Sequence, residues 1–374
     1  MRKDVIVIGG GVIGCSIALK LARAGLKVAV FERGRVGCES SRAAAGMLSP
    51  QVEAASRGPF LDLCLRSRSM YRDYAAGLTE ASGIDVEYRD EGTLCVALSG
   101  EEAAEVGRWA SWQAGAGLTV EQVPANSIRE MEPAVTESAL AAVFIPGDHQ
   151  VESRRLMDAL SVAARRAGVE VAEGEDVCAL LIERERVTGV ACGSRRFHAG
   201  AVVVAAGSWS GRLLAPAGLS IDVTPARGQM VAVWGGDKAP ARVLHSKRCY
   251  LVPRNDGRVL IGATVEYAGF EKALTVRGIN SLLAAAVELA PSLEACEVIE
   301  SWSGLRPDTP DHLPVMGETG IKGLLLATGH FRNGILLAPV TAELITDMLI
   351  NGRAPDEINH FGVGRLQRKI KERA

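Results

Sequence analysis

Gly9, Gly11 and Gly14 fall at G-x-G-x-x-G spacing, and an acid, Glu32, follows about twenty residues further on. Residues in that arrangement seat a dinucleotide. Gly9 lets the chain turn sharply, Gly11 leaves room for a pyrophosphate to approach the backbone, and Gly14 lets a helix pack closely on a sheet. The helix N-terminus offers free N–H groups and a positive dipole end to phosphates. Glu32 can accept hydrogen bonds from ribose hydroxyls. The spacing does not choose between NAD and FAD. Two arginines could hold a carboxylate: Arg306 in Gly304-Leu305-Arg306-Pro307, and Arg332 between Gly329 and Gly334. A guanidinium presents a planar fork that matches a carboxylate. Against this, a single arginine is more often a surface ion-pair partner. His149, His245, His312 and His330 stand isolated, so no His/Asp or Cys/His constellation for nucleophilic catalysis is expected. The eight cysteines contain no C-x-x-C pair, and no metal site is expected.

The elements that must position these residues are legible in the same chain. Val5-Ile6-Val7-Ile8 is a β-branched run long enough for one buried strand. Ile13, Ile17, Leu21 and Ala24 recur at helical spacing, Gly25 closes that helix, and 27–31 is a second buried strand leading to Glu32. The stretch 33–50 is a loop rich in small residues, which let a backbone approach a flat ligand. Further helices are expected at 61–82, 101–115, 124–131, 152–167, 277–290 and 335–350, the last with Pro339 in its first turns. Strands are expected at 141–145, 169–172, 201–205, 221–234, 250–253, 259–264, 298–303 and 324–327. A hairpin spans 177–182 and 187–192, and 86–98 reads as two short strands about Glu91-Gly92-Thr93. Parallel and antiparallel character alternate. The fold class expected is therefore α/β, a Rossmann-like nucleotide-binding domain (1–85, 146–220 and 300–374) interleaved with an antiparallel-sheet α+β substrate domain (86–145 and 221–299).

Composition excludes several classes. Lys plus Arg is 42 against 44 for Asp plus Glu, so no bias toward nucleic acid exists. The one basic run, 365–373, reads as a solvated helix end or tail. Arg2-Lys3 followed by uncharged residues 5–19 imitates a signal peptide, but Asp4 and the glycines favour a first strand and its turn. No other stretch has the ~18 uncharged apolar residues of a membrane helix. Scattered cysteines fit reduced thiols and a cytoplasmic setting.

Seven stretches carry a resemblance: GGGVIG at 9–14, SSRAAAGML at 40–48, GDHQV at 147–151, ARGQM at 226–230, YLVPR at 250–254, GLRPDTPD at 304–311 and GHFRNGILLAP at 329–339. Together they resemble the FAD-dependent D-amino-acid oxidase family, and within it the glycine oxidase branch tied to thiamine biosynthesis. The resemblance implies FAD in place of NAD. It implies that Val12, Ile13 and Gly14 face the pyrophosphate, that Glu32 and Arg33 meet the adenosine ribose, and that Ser40 and Ser41 meet the phosphates or ribityl chain. Ala45, Gly46 and Met47 would line the flavin, Val177 would hold the adenine edge, and His330, Phe331, Arg332, Asn333, Gly334, Ile335 and Leu336 would wrap the flavin pyrimidine. The N-terminus of the helix beginning at Gly334 could also stabilise negative charge on a reduced flavin. Arg306 and Tyr250 would hold the substrate carboxylate, with Arg332 assisting. Val265 and Arg248 depart from the family pattern and put the pocket roof and its access in question.

The function implied is oxidative deamination of glycine, sarcosine or D-alanine, with O2 as acceptor and hydrogen peroxide as product. No side-chain acid or base is required for C–H cleavage, and orientation is the protein's main contribution. Two alternatives stay open: a D-amino-acid or sarcosine dehydrogenase with a quinone acceptor, and a flavin-binding subunit of a larger complex. The family also implies a homo-oligomer, a tetramer in many members, and a possible hand-over to a thiazole synthase. Neither nucleic acid nor a membrane is expected as a partner.

Overall fold

The computed structural model describes residues 2–54 and 56–366; most of the basic run at 365–373 lies outside them. Two eight-stranded sheets organise the chain. In the first, Lys3–Ile8 lies between Val28–Glu32 and Arg195–Val204, all parallel, with Glu170–Glu173 and Leu324–Thr328 outside them. Val315–Glu318 closes one edge in antiparallel fashion. The central strands are β-branched and buried on both faces, as a covered parallel sheet requires. The hairpin Ala179–Glu183 and Arg186–Cys192 leans on Arg195–Val204. The second sheet runs Glu297–Asp308, Thr224–Trp234, Arg258–Gly262, Tyr250–Pro253, Val243–His245, Thr93–Ala97, Ala141–Ile145 and Glu121–Val123. It is antiparallel except where Val243–His245 meets Thr93–Ala97.

Four helices pack in the core on one face of the first sheet: Val12–Arg23, Pro59–Ser82, Ser153–Arg166 and Gly334–Asn351. The last is long and apolar enough to cross a membrane, but 72% of that window is buried as a core helix. Pro339 lies inside it and cannot donate to Ile335 O. The Tyr71 hydroxyl donates to that carbonyl at 3.0 Å, and Ser67 Oγ donates to Leu336 O at 2.6 Å. Tyr71 thus satisfies the one carbonyl the proline leaves open, and Ser67 adds a second bond beside it.

Most expected elements form, within a few residues of the expected ends. Two differ. Only Thr93–Ala97 pairs as a strand within 86–98. Glu87 takes a left-handed conformation (φ 52°), which breaks an extended run, and Arg89 makes only an isolated bridge to Gln150. The strand expected at 298–303 extends from Glu297 to Asp308 and pairs with Thr224–Trp234 along its whole length. Residues 300–308 therefore belong to the antiparallel sheet by pairing, and Arg306 is carried on a strand rather than on a loop past its end.

Candidate active site

One cavity of about 510 Å³ opens at the carboxyl ends of Lys3–Ile8 and Arg195–Val204, where strand order reverses. Open α/β sheets bind ligands at that position. Gly9 has φ 106°, and a Cβ there would stand 2.8 Å from Ala205 C, so only glycine makes this turn. Gly9, Gly11, Val12 and Ile13 line the cavity. Gly14 does not: a Cβ there would overlap Gly9 O, as close packing of the helix on the turn requires. Val12 N–H donates to Ser41 Oγ at 2.9 Å. Glu32 is buried, and its two oxygens accept from Gly10 N and Gly34 N, both at 2.8 Å. The remaining lone pairs of that carboxylate are available to hydroxyls. Arg33, Ser40, Ser41 and Val177 line the same end of the cavity, together with Trp209 and Arg212, which the sequence did not single out.

Ala45, Gly46 and Met47 form the middle wall. Gly46 has φ 79° and lies against the Val151 backbone, leaving no room for a side chain. A buried arginine, Arg254, fixes this wall. It donates to Ala45 O, to Val151 O at 3.0 Å and to Gln150 Oε1 at 3.1 Å. Burial lowers its pKa to about 10, still cationic at neutral pH. The YLVPR and GDHQV stretches thus meet to hold the small-residue loop. Across the cavity lie His330, Phe331, Arg332, Asn333, Gly334 and Ile335, the last two opening the helix Gly334–Asn351. Leu336 points into the core and does not line the cavity. His330 is buried and bonded to Thr341 Oγ1 at 3.1 Å, and burial lowers its pKa to about 3, so it is neutral in use.

The antiparallel sheet closes the far end with Tyr250, Met230, Gly228 and Arg306. Arg306 lies flat on the backbone of Gly228, where a Cβ would come within 2.6 Å of its Cζ. Its Nη1 donates to Thr264 O at 3.0 Å. Thr264 is in turn tied to Glu266, which also accepts from Gln229 Nε2 at 2.7 Å and pairs with Arg227. Among the described residues no carboxylate pairs with Arg306. Arg332 is different, pairing with Glu53 Oε1 at 3.0 Å. Two arginines and one glutamate therefore leave this end one net positive charge. Burial raises the pKa of Tyr250, while Arg306 and Arg332 pull it down; its hydroxyl lies 3.3 Å from Met230 Sδ. The two departures fall outside the cavity lining: Val265 is exposed, and Arg248 pairs with Glu288 at the surface. Glu53, Trp209, Arg212, Gly228 and Met230 are not among the site residues expected from the sequence. Gly228 and Met230 sit inside the ARGQM stretch, whereas Glu53 carried no signal in the sequence.

The arrangement can hold an elongated ligand with a pyrophosphate at the glycine turn, a planar ring against the small-residue wall, and a small carboxylate beside Arg306. Comparison with known proteins agrees. Residues 4–348 match the family described as DAO, FAD dependent oxidoreductase. The chain is similar to the glycine oxidase of Geobacillus kaustophilus (strain HTA426), 38% identical over 377 residues, which cover 99% of this chain and 98% of that one. It is also similar to the bifunctional protein ThiO/ThiG of Nostoc sp. (strain PCC 7120), 36% identical over 99% of this chain but 56% of that longer protein. The crystal structure of the Geobacillus kaustophilus enzyme superposes with a TM-score of 0.91, at 38% identity and covering 97% of this chain and 98% of that one.

Proposed function

The chain belongs to the DAO family of FAD-dependent oxidoreductases, and from that starting point we propose that it oxidatively deaminates glycine, with sarcosine and D-alanine as further substrates. The observation that carries this reading is Arg306. Its guanidinium is seated on Gly228, pairs with no carboxylate among the described residues, and faces the same cavity as the dinucleotide turn.

Gly9, Gly11, Val12 and Ile13 would hold the pyrophosphate of FAD, and Glu32 and Arg33 its ribose. The flavin supplies the two-electron acceptor for the α-C–H bond. Arg306 and Tyr250 bind and orient the substrate carboxylate, and a raised Tyr250 pKa keeps its hydroxyl a donor. Glu53 offsets the charge of Arg332 beside them. His330 stays neutral and sets a fixed hydrogen-bonding surface. No protein base is assigned: the substrate amine arrives deprotonated, and positioning does the rest. Water then converts the imino acid to glyoxylate and ammonia.

The proposal keeps the organisation expected from the sequence, an FAD-binding part (1–85, 146–220 and 300–374) and a substrate part (86–145 and 221–299), with one change: 300–308 pair into the antiparallel sheet and join the two parts. The unpaired cysteines favour a cytoplasmic setting. The fused ThiO/ThiG relatives favour delivery of the imine to a thiazole synthase. Exposed Val298 and Ile299 on the edge strand favour a homo-oligomer. A panel of glycine, sarcosine, D-alanine and larger D-amino acids, read by peroxide release from the purified protein, tests the activity. Peroxide from glycine in air supports it. Turnover only with a quinone would make the chain a dehydrogenase.

A further inference from the structure

The loop 263–275 leaves the antiparallel sheet after Arg258–Gly262 and returns at the helix Val276–Leu289. Between those points it reaches the other half of the molecule. Phe270 lies on Trp209, with ring centroids 5.2 Å apart, and Arg212 stacks on Phe270 from the side, its Cζ 3.7 Å from the ring centre. Trp209 carries Arg33 on its own ring at 3.6 Å. The order is therefore Arg33, Trp209, Phe270 and Arg212, two aromatic rings clasped by two guanidinium groups. Three of the four line the cavity at the end marked by Glu32. Phe270 alone comes from the loop that the second sheet sends across.

The loop is tethered on both sides of Phe270. The Tyr267 hydroxyl donates to Asp308 Oδ2 at 2.7 Å. Lys272 pairs with Glu39, which also pairs with Arg33 at 3.0 Å, and Ser303 Oγ donates to Lys272 O at 2.7 Å. Arg33 enters the proposed function as a ribose contact, whereas Phe270 makes no contact with Arg306 or Tyr250 and has no role in that chemistry.

We propose that Phe270 is a positioning residue for the cofactor: by bracing Trp209, it holds Arg33 at the adenosine end and slows release of FAD. This rests on the FAD reading of the cavity. Each cation–ring or ring–ring contact contributes modestly, so Phe270→Ala should raise the rate of FAD loss and its Kd by roughly 5- to 30-fold. Turnover at saturating FAD should be unchanged, because Arg306 and Tyr250 are untouched. Phe270→Tyr keeps both stacks and should retain FAD as the unaltered protein does. The experiment measures FAD release by recovery of free flavin fluorescence on dilution of the holoprotein, with the thermal midpoint in excess FAD as a check on folding. Faster release from Phe270→Ala, restored in Phe270→Tyr, supports the inference. Release at the original rate from Phe270→Ala overturns it, and so does equal acceleration in both variants. A failure of the unaltered protein to bind FAD would instead overturn the reading of the cavity itself.

Discussion

Gly228→Ala adds one methyl group under Arg306. The new Cβ would stand 2.5 Å from Nη2 and 2.6 Å from Cζ, with Nη1 nearer still. Such contacts cannot persist, so the guanidinium must lift from the strand. Lifting it stretches the bond from Nη1 to Thr264 O, now 3.0 Å, and turns the fork away from the cavity. The backbone at 228 is an ordinary strand, paired in register with Gly304, so alanine is compatible with the sheet itself. Overpacking of this kind costs ~1–3 kcal/mol. If the strain falls on Arg306, affinity for a carboxylate drops by roughly 5- to 140-fold, at ~1.4 kcal/mol per decade. The assay is titration of the holoprotein with glycolate, followed through the flavin spectrum, beside kcat/KM for glycine. Flavin content should not change. An unaltered glycolate affinity would show that the carboxylate does not dock on an arginine seated at residue 228, and the substrate half of the site would have to be redrawn around Arg332.

Gly11→Val should abolish FAD binding yet leave the fold intact, because a Cβ there meets only Ser41 Oγ at 3.2 Å; Gly14→Ala should instead lower the melting temperature, since its Cβ overlaps Gly9 O. Circular dichroism and flavin absorbance separate the two. His330 is neutral when folded, with a pKa of about 3, against an ordinary value of 6.5. The unfolded chain therefore binds the extra proton, and stability should fall as pH drops from about 6.5 toward 3. By pH 5 the linkage amounts to about 2 kcal/mol, and denaturation in excess FAD should show a shallower acid slope in His330→Gln. Finally, kcat/KM for glycine should rise on the alkaline side as the substrate amine loses its proton. Tyr250→Phe should be weaker but keep the same profile; loss of the rise in that variant would assign the titration to the tyrosine.

The local signals were readable because they are local. The strand, turn and helix of residues 3–23 follow from β-branched residues, glycine spacing and a 3.6-residue period, and Glu32 lies within the same unit. The wall at 45–47 was readable as a run of small residues, and Arg306 through its Gly-Leu-Arg-Pro setting. Contacts made across the fold were not. Nothing in the sequence says that Arg254 reaches Ala45, that Glu53 meets Arg332, or that Phe270 crosses to Trp209. Gly14 and Leu336 show the converse. Both sit in motifs that line the cavity without lining it themselves: Gly14 packs against Gly9 O and Leu336 is buried in the core. Strand length also escaped. Glu297–Asp308 contains Pro307 and two exposed apolar residues near its start, and only its pairing with Thr224–Trp234 carries it through to Asp308.

Electron flow from glycine through FAD to oxygen on this chain alone is measured directly by mixing glycine with the purified yellow protein without oxygen, following the flavin absorbance, and then admitting air. Glycine should bleach the flavin, air should restore the yellow colour, and hydrogen peroxide and glyoxylate should form in equal amounts. A flavin that glycine does not bleach, or that bleaches but returns only when a quinone is added, would contradict that flow.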